Sequence, residues 1–146
     1  MRLPLVLLPV VVALLSGGVH AKDEAFEAVK QPLAEFAKVK REQDVLVLFK
    51  ADWCVTCAVL KKHLQSKEYA AMLKREKVTV ALADCTVPKA SAWQDLKGCD
   101  LKIRTVPAMA LVTKDGRIIY ARVEEATKDG FMKEVDALIG RARKHG

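Results

Sequence analysis

Five apolar residues in a row, Val45-Leu46-Val47-Leu48-Phe49, stand four residues upstream of a cysteine pair, Cys54-Val55-Thr56-Cys57, at which helical spacing begins. A run this continuous keeps no polar face for water, so it suits a strand buried on both sides within a parallel or mixed sheet. Cys57, Leu60 and Leu64 then recur as one face of a helix. A strand that feeds straight into a helix, in a sheet needing cover on both faces, restricts the chain to an α/β layering with helices on two sides of a central mixed sheet.

The remaining pattern fits that frame. Val78 to Ala83 and Ala108 to Val112 are further apolar runs, and Lys114-Asp115-Gly116-Arg117 carries an Asp-Gly turn that makes Ile118 to Val123 a hairpin partner. The helix at the cysteine pair is expected to break near Gln65-Ser66 and to resume through Tyr69, Met72 and Leu73. Another covers residues 90–96, and Thr127 caps a last one with Phe131, Val135, Leu138 and Ile139 on its apolar face. Phe26, Val29, Leu33, Phe36, Ala37 and Val39 predict an amphipathic helix over residues 24–41, with Pro32 kinking it or delaying its start. The expected organisation is an N-terminal helix within residues 22–43, a core over 44–140 and a basic tail over 141–146. With 51% apolar and 29% charged residues, the chain is neither disordered nor fibrous.

Residues 1–21 read as an address. Arg2 precedes Leu3 to Leu15, a 13-residue run without a polar side chain, followed by Ser16-Gly17-Gly18 and the small-residue site Val19-His20-Ala21. Charged start, short apolar stretch and small-residue cleavage site make a secretory signal peptide, cut after Ala21. An uncleaved anchor is disfavoured, because the run is shorter than the ~20 residues that span a bilayer. The expected location is therefore periplasmic or secreted. Losing Arg2 with the leader takes the net charge from +7 to +6. Those charges are scattered, and only eight aromatic residues accompany them, so nucleic-acid binding is a weak reading.

Two cysteines three apart at a helix start can close a small ring. Cys54 lies where unpaired N–H groups and the positive end of the helix dipole stabilise a thiolate. Cys57, one turn inside, is the more buried and acts as the resolving thiol. Such a pair exchanges electrons with a substrate disulfide through a mixed disulfide, and needs no other cofactor. Val55-Thr56 holds no cation to stabilise the reduced form strongly, which favours a reductant or electron relay over an oxidase.

Ala51-Asp52-Trp53-Cys54-Val55-Thr56-Cys57 after an apolar strand, with Thr105-Val106-Pro107 about fifty residues later, resembles the thioredoxin superfamily. The Ala-Asp-Trp-Cys-Val-x-Cys string is most similar to the C-terminal thioredoxin-like domain of the thiol:disulfide interchange protein DsbD. The resemblance covers roughly residues 44–140. It implies a thioredoxin fold and Cys54 as nucleophile. It also implies a cis Pro107 facing the disulfide, a Val106 backbone that pairs with substrate, and Trp53 flanking the groove. The partners implied are protein thiols or disulfides and a membrane electron donor; a monomer is expected. The chain departs from the family at Leu48, where a buried aspartate is usual, and at Lys61, where DsbD-like domains tend to carry glutamate. Both changes favour thiolate at Cys57 and leave the proton carrier unassigned. Glu124-Glu125 stands where relatives commonly place glycine.

Asp52 and Lys61 are candidates for electrostatic tuning, against the plainer reading of each as a solvated side chain. His63 reads as surface. Cys85 and Cys99 favour a structural disulfide closing a loop worth about 3 kcal/mol; two buried thiols or a second redox pair are the alternatives. Those two cysteines are fourteen positions apart, which is poor spacing for a zinc site, so no metal is expected. The main expectation is an exported thiol–disulfide oxidoreductase of the protein-disulfide reductase type. The rivals are a binding or chaperone-like module on the same fold and a disulfide oxidase or isomerase.

Overall fold

The computed structural model describes residues 26–145. The signal-peptide expectation for residues 1–21 lies outside the described residues. Five strands, β1 (Glu27–Val29), β2 (Asp44–Lys50), β3 (Val78–Asp84), β4 (Ala108–Val112) and β5 (Ile118–Arg122), form one sheet in the order β1-β3-β2-β4-β5. β1, β3 and β2 are mutually parallel, while β4 runs antiparallel to both β2 and β5. The helices are α1 (Leu33–Phe36), α2 (Val55–Leu64), α3 (Lys67–Arg75), α4 (Ser91–Gly98) and α5 (Lys128–Lys144). This is the thioredoxin fold, a mixed sheet covered on both faces.

β2 lies at the centre and every one of its residues is buried. Its alternation divides the core. Leu46 and Leu48 join Leu60, Leu64, Tyr69, Phe131 and Val135 under α2, α3 and α5. Val45, Val47 and Phe49 face Leu33, Phe36, Ala92 and Leu96 under α1 and α4. A strand covered on both faces can be apolar throughout, which is why the run shows no alternation.

The expected helix over residues 24–41 does not form. Glu27–Val29 instead pairs in parallel with Ala81–Ala83 as an edge strand. Helix begins only after Pro32, whose carbonyl accepts the Glu35 and Phe36 N–H groups. Proline has no N–H and excludes helical geometry before it, so the apolar spacing on its two sides belongs to two elements. The basic tail is also corrected, because α5 continues to Lys144 with Ala142 buried. Ala142 extends the apolar face of Phe131, Val135 and Leu138, and Arg143 pairs with Asp44 at 3.5 Å.

The break between α2 and α3 falls at Gln65-Ser66, where the Ser66 side chain accepts the Tyr69 N–H at 3.4 Å. Gly116, at φ +92°, turns the β4–β5 hairpin in a conformation that L side chains rarely adopt. No helix among the described residues is long and apolar enough to cross a membrane.

Candidate active site

The cysteine pair sits where β2 ends and α2 begins. Cys54 is the N-cap of α2, with extended backbone (φ −93°, ψ 104°), and its Sγ accepts the Cys57 N–H at 3.2 Å. A sulfur that accepts from the first turn of a helix is where negative charge is best held. Cys54 and Cys57 are joined as a disulfide. Burial separates the two, since Cys57 is 1% exposed whereas Cys54 is half-buried and reachable.

Two other loops close on this point. The Val106 carbonyl oxygen lies 3.9 Å from Cys54 Sγ, and the Val106–Pro107 peptide bond that follows is cis. From the loop after β3, Thr86 accepts the Trp53 indole N–H through its carbonyl at 3.1 Å and the Asp52 N–H through its hydroxyl at 2.9 Å. Thr86 is in turn fixed by Asp84, which accepts both its N–H, at 2.8 Å, and its hydroxyl. Trp53 thereby stands at a set angle beside Cys54 with 62% of its surface open.

Behind the disulfide is a cavity of about 120 Å³, lined by Lys50, Asp52, Cys54, Cys57 and Lys61 among others. Lys50, the last residue of β2, is 9% exposed, and its Nζ lies 2.9 Å from Asp52 Oδ1 and 3.8 Å from Asp84 Oδ2. Lys50, Asp84 and Thr86 were not foreseen as site residues. The signal for Lys50 is a lone cation directly after the apolar run Val45 to Phe49; for Asp84 and Thr86 no local signal exists, because the sheet alone brings them there. Both tuning candidates, Asp52 and Lys61, reach the cavity. Leu48, at the position of the missing acid, is fully buried in the apolar cluster beneath α2. Glu124 and Glu125 are exposed, and their N–H groups are both accepted by the Glu134 carboxylate at 3.0 Å. His63 contacts the Ala126 carbonyl at 3.0 Å, away from the cysteines.

The expected Cys85–Cys99 disulfide is absent, and both are buried free thiols. Cys99 Sγ donates to the Leu96 carbonyl at 3.1 Å, the bond of a thiol held by its own helix. Cys85 is sealed in the core beside Asp84 and Asp95, and its thiol is pushed up to about 12, first by desolvation and then by those acids. Sequence spacing brings the two into one core cluster; it does not fix where each sulfur points. Among the described residues no group of three or more His, Cys, Asp or Glu converges as a metal site requires.

Comparison with known proteins gives the same family. The family model for thioredoxin matches residues 27–137. Among solved structures, mitochondrial thioredoxin 3 of Saccharomyces cerevisiae in its oxidised form is similar at 20% identity and a TM-score of 0.54, over 80% of this chain and 99% of that one. A chain from a study of thiol resolution in a yeast mitochondrial 1-Cys peroxiredoxin by the glutathione and thioredoxin systems is similar at 17% identity and a TM-score of 0.53. The overlap there is 80% of this chain and 98% of the other. No curated protein matches.

Proposed function

The chain belongs to the thioredoxin family, and from that premise we propose that it is an exported reductant of protein disulfides, or an electron relay between them, working through Cys54 and Cys57. The observation that carries this reading is the pairing of a reachable sulfur at the α2 N-cap with a buried one a turn deeper. In the reduced protein the Cys54 thiolate attacks one sulfur of a substrate disulfide. The substrate S–S bond breaks, its second sulfur leaves as a thiolate and takes a proton from solvent, and Cys54 is left in a mixed disulfide. Cys57 then loses its proton and attacks Cys54 Sγ. The first substrate sulfur departs, and the Cys54–Cys57 disulfide remains. Two electrons have passed to the substrate, and an external dithiol must return them. By the DsbD-like string, that donor is a membrane protein. Trp53, Val106 and Pro107 would border the bound substrate strand.

Reduction is favoured over oxidation because Val55-Thr56, the dipeptide between the cysteines, carries no cation to stabilise the thiolate form, and a stabilised reduced form is what makes strong oxidants strong. A glutathione redox titration, with alkylation read by peptide mass, decides the direction. A Cys54–Cys57 potential near about −270 mV is expected, and one near about −120 mV would mean an oxidant. In insulin reduction, Cys54→Ser should abolish turnover, and Cys57→Ser should accumulate mixed disulfides. Turnover that survives loss of Cys54 would overturn the mechanism, and a wild type without turnover would favour the binding module.

A further inference from the structure

Beside Trp53 a cleft of about 260 Å³ opens between α4 and the loop that follows β3. Two indoles wall it, and both are tethered. Trp53 Nε1 donates to the Thr86 carbonyl at 3.1 Å, and Trp93 Nε1 donates to the Cys85 carbonyl at 2.8 Å. With their N–H donors already used on consecutive carbonyls of one loop, these rings offer a ligand only apolar surface. Pro88 adds to that surface, and the neighbouring Val87 is 58% exposed.

The charge in the cleft has one sign. Lys97 and Arg104 line it, with Lys97 Nζ 5.9 Å from the Trp93 ring centroid, and no carboxylate does. Among the described residues neither cation makes an ion pair. Two acids near the cleft, on β3 and α4, are engaged elsewhere, and the exposed Asp100 does not line it. Asp84 holds Thr86 and approaches Lys50, and Asp95 accepts the Leu33 N–H at 3.0 Å. The cleft also adjoins the reacting sulfur. Trp53 immediately precedes Cys54, and Arg104 lies in the segment leading to Val106, whose carbonyl is 3.9 Å from Cys54 Sγ.

We propose that this cleft is a specificity subsite for an acidic residue of the substrate chain. The favoured disulfides carry an Asp or Glu a few residues from the attacked cysteine, with its carboxylate held by Arg104 and Lys97 and its neighbouring apolar atoms on the indoles. An extended strand advances about 3.3 Å per residue, so a side chain two to four residues from the cysteine spans the width of an indole. This inference rests on the exchange chemistry proposed above.

The test uses two synthetic peptide disulfides that differ only in an Asp-Glu pair, placed three residues from the cysteine, against Asn-Gln. Two exposed cation–carboxylate contacts of a few tenths to one kcal/mol each correspond to a rate ratio of about five in favour of the acidic peptide at low salt. That ratio should fall to about one in Lys97→Gln/Arg104→Gln, with the neutral peptide as internal reference for folding. Equal rates on the wild type, or a preference that persists in the double variant, would overturn the subsite. If neither peptide is reduced, the proposed exchange fails and the subsite is still decided by titrating the serine-for-cysteine peptides against tryptophan fluorescence. Tighter binding of the acidic form that is lost in the double variant supports it, and equal binding overturns it.

Discussion

What a cysteine does in this chain is set by its surroundings more than by its presence. Cys54 is half-buried and accepts a backbone N–H at a helix start, while Cys85 is fully buried with two acids acting on it. Desolvation and the Asp84 and Asp95 charges both oppose the Cys85 thiolate. The folded protein therefore holds that proton to about pH 12, while the unfolded chain releases it near 9.0. Above pH 9 the unfolded state binds fewer protons than the native one, so stability is complete below that point and declines as pH rises toward 12. Burial also raises Tyr69 and Tyr120, which add to the alkaline loss from a higher onset. Two outcomes follow. After reduction, iodoacetamide on the native protein should label Cys54 first and leave Cys85 and Cys99 unmodified until denaturant is added. Urea midpoints should fall less steeply with alkaline pH in Cys85→Ala than in the wild type; identical slopes would remove Cys85 from the account.

At the level of elements, the apolar runs were legible as strands because burial on both faces leaves an unbroken record in β2 and β4, and one broken only at the exposed Thr79 in the run of β3. β1 was not legible. Three residues at a sheet edge, two of them exposed, carry no periodic signal, and Phe26 and Val29 happened to continue a helical spacing across Pro32. The start of α5 was readable from Thr127, whose Oγ1 accepts the Gly130 N–H at 3.2 Å. Why glycine stands there was not. A Cβ on Gly130 would lie 2.7 Å from both Thr127 Oγ1 and Glu125 Cβ, so the cap and the approaching loop leave no room for one. Helix propensity alone would make Gly130→Ala a gain of about 1 kcal/mol. Displacing the cap and Glu125 should outweigh that gain, for a net loss of about 1–2 kcal/mol in urea unfolding. Thr127→Ala should lose about 1 kcal/mol. Because both changes act on one hydrogen bond, the double variant should lose less than the sum. A stabilised Gly130→Ala would mean that the loop yields freely.

The molecule as a whole assembles its site from three segments far apart in sequence. β2 and β3 run parallel with Lys50 opposite Asp84, so their following loops emerge side by side, and β4, antiparallel to β2, begins at the same end just after Pro107. The Cys54–Cys57 pair could be read from four residues because its chemistry is local, and Pro107 only through family resemblance. Thr86 could not be read at all, since its part depends on register between strands. Its place makes it the joint between two loops, with Asp84 holding it from below and Asp52 and Trp53 held by it above. Thr86→Val keeps the carbonyl that anchors the Trp53 indole but removes the hydroxyl acceptor of the Asp52 N–H. That N–H lies at the surface and can turn to water, so the loss of stability should stay near 1 kcal/mol. The looser Asp52-Trp53 turn should then show as a red-shifted Trp53 emission in a Trp93→Phe background. Insulin reduction should slow several-fold with the far-ultraviolet spectrum unchanged, because a reacting sulfur placed less well costs rate before it costs fold. Unaltered emission and rate would mean that Trp53 and Cys54 are positioned by β2 and α2 alone.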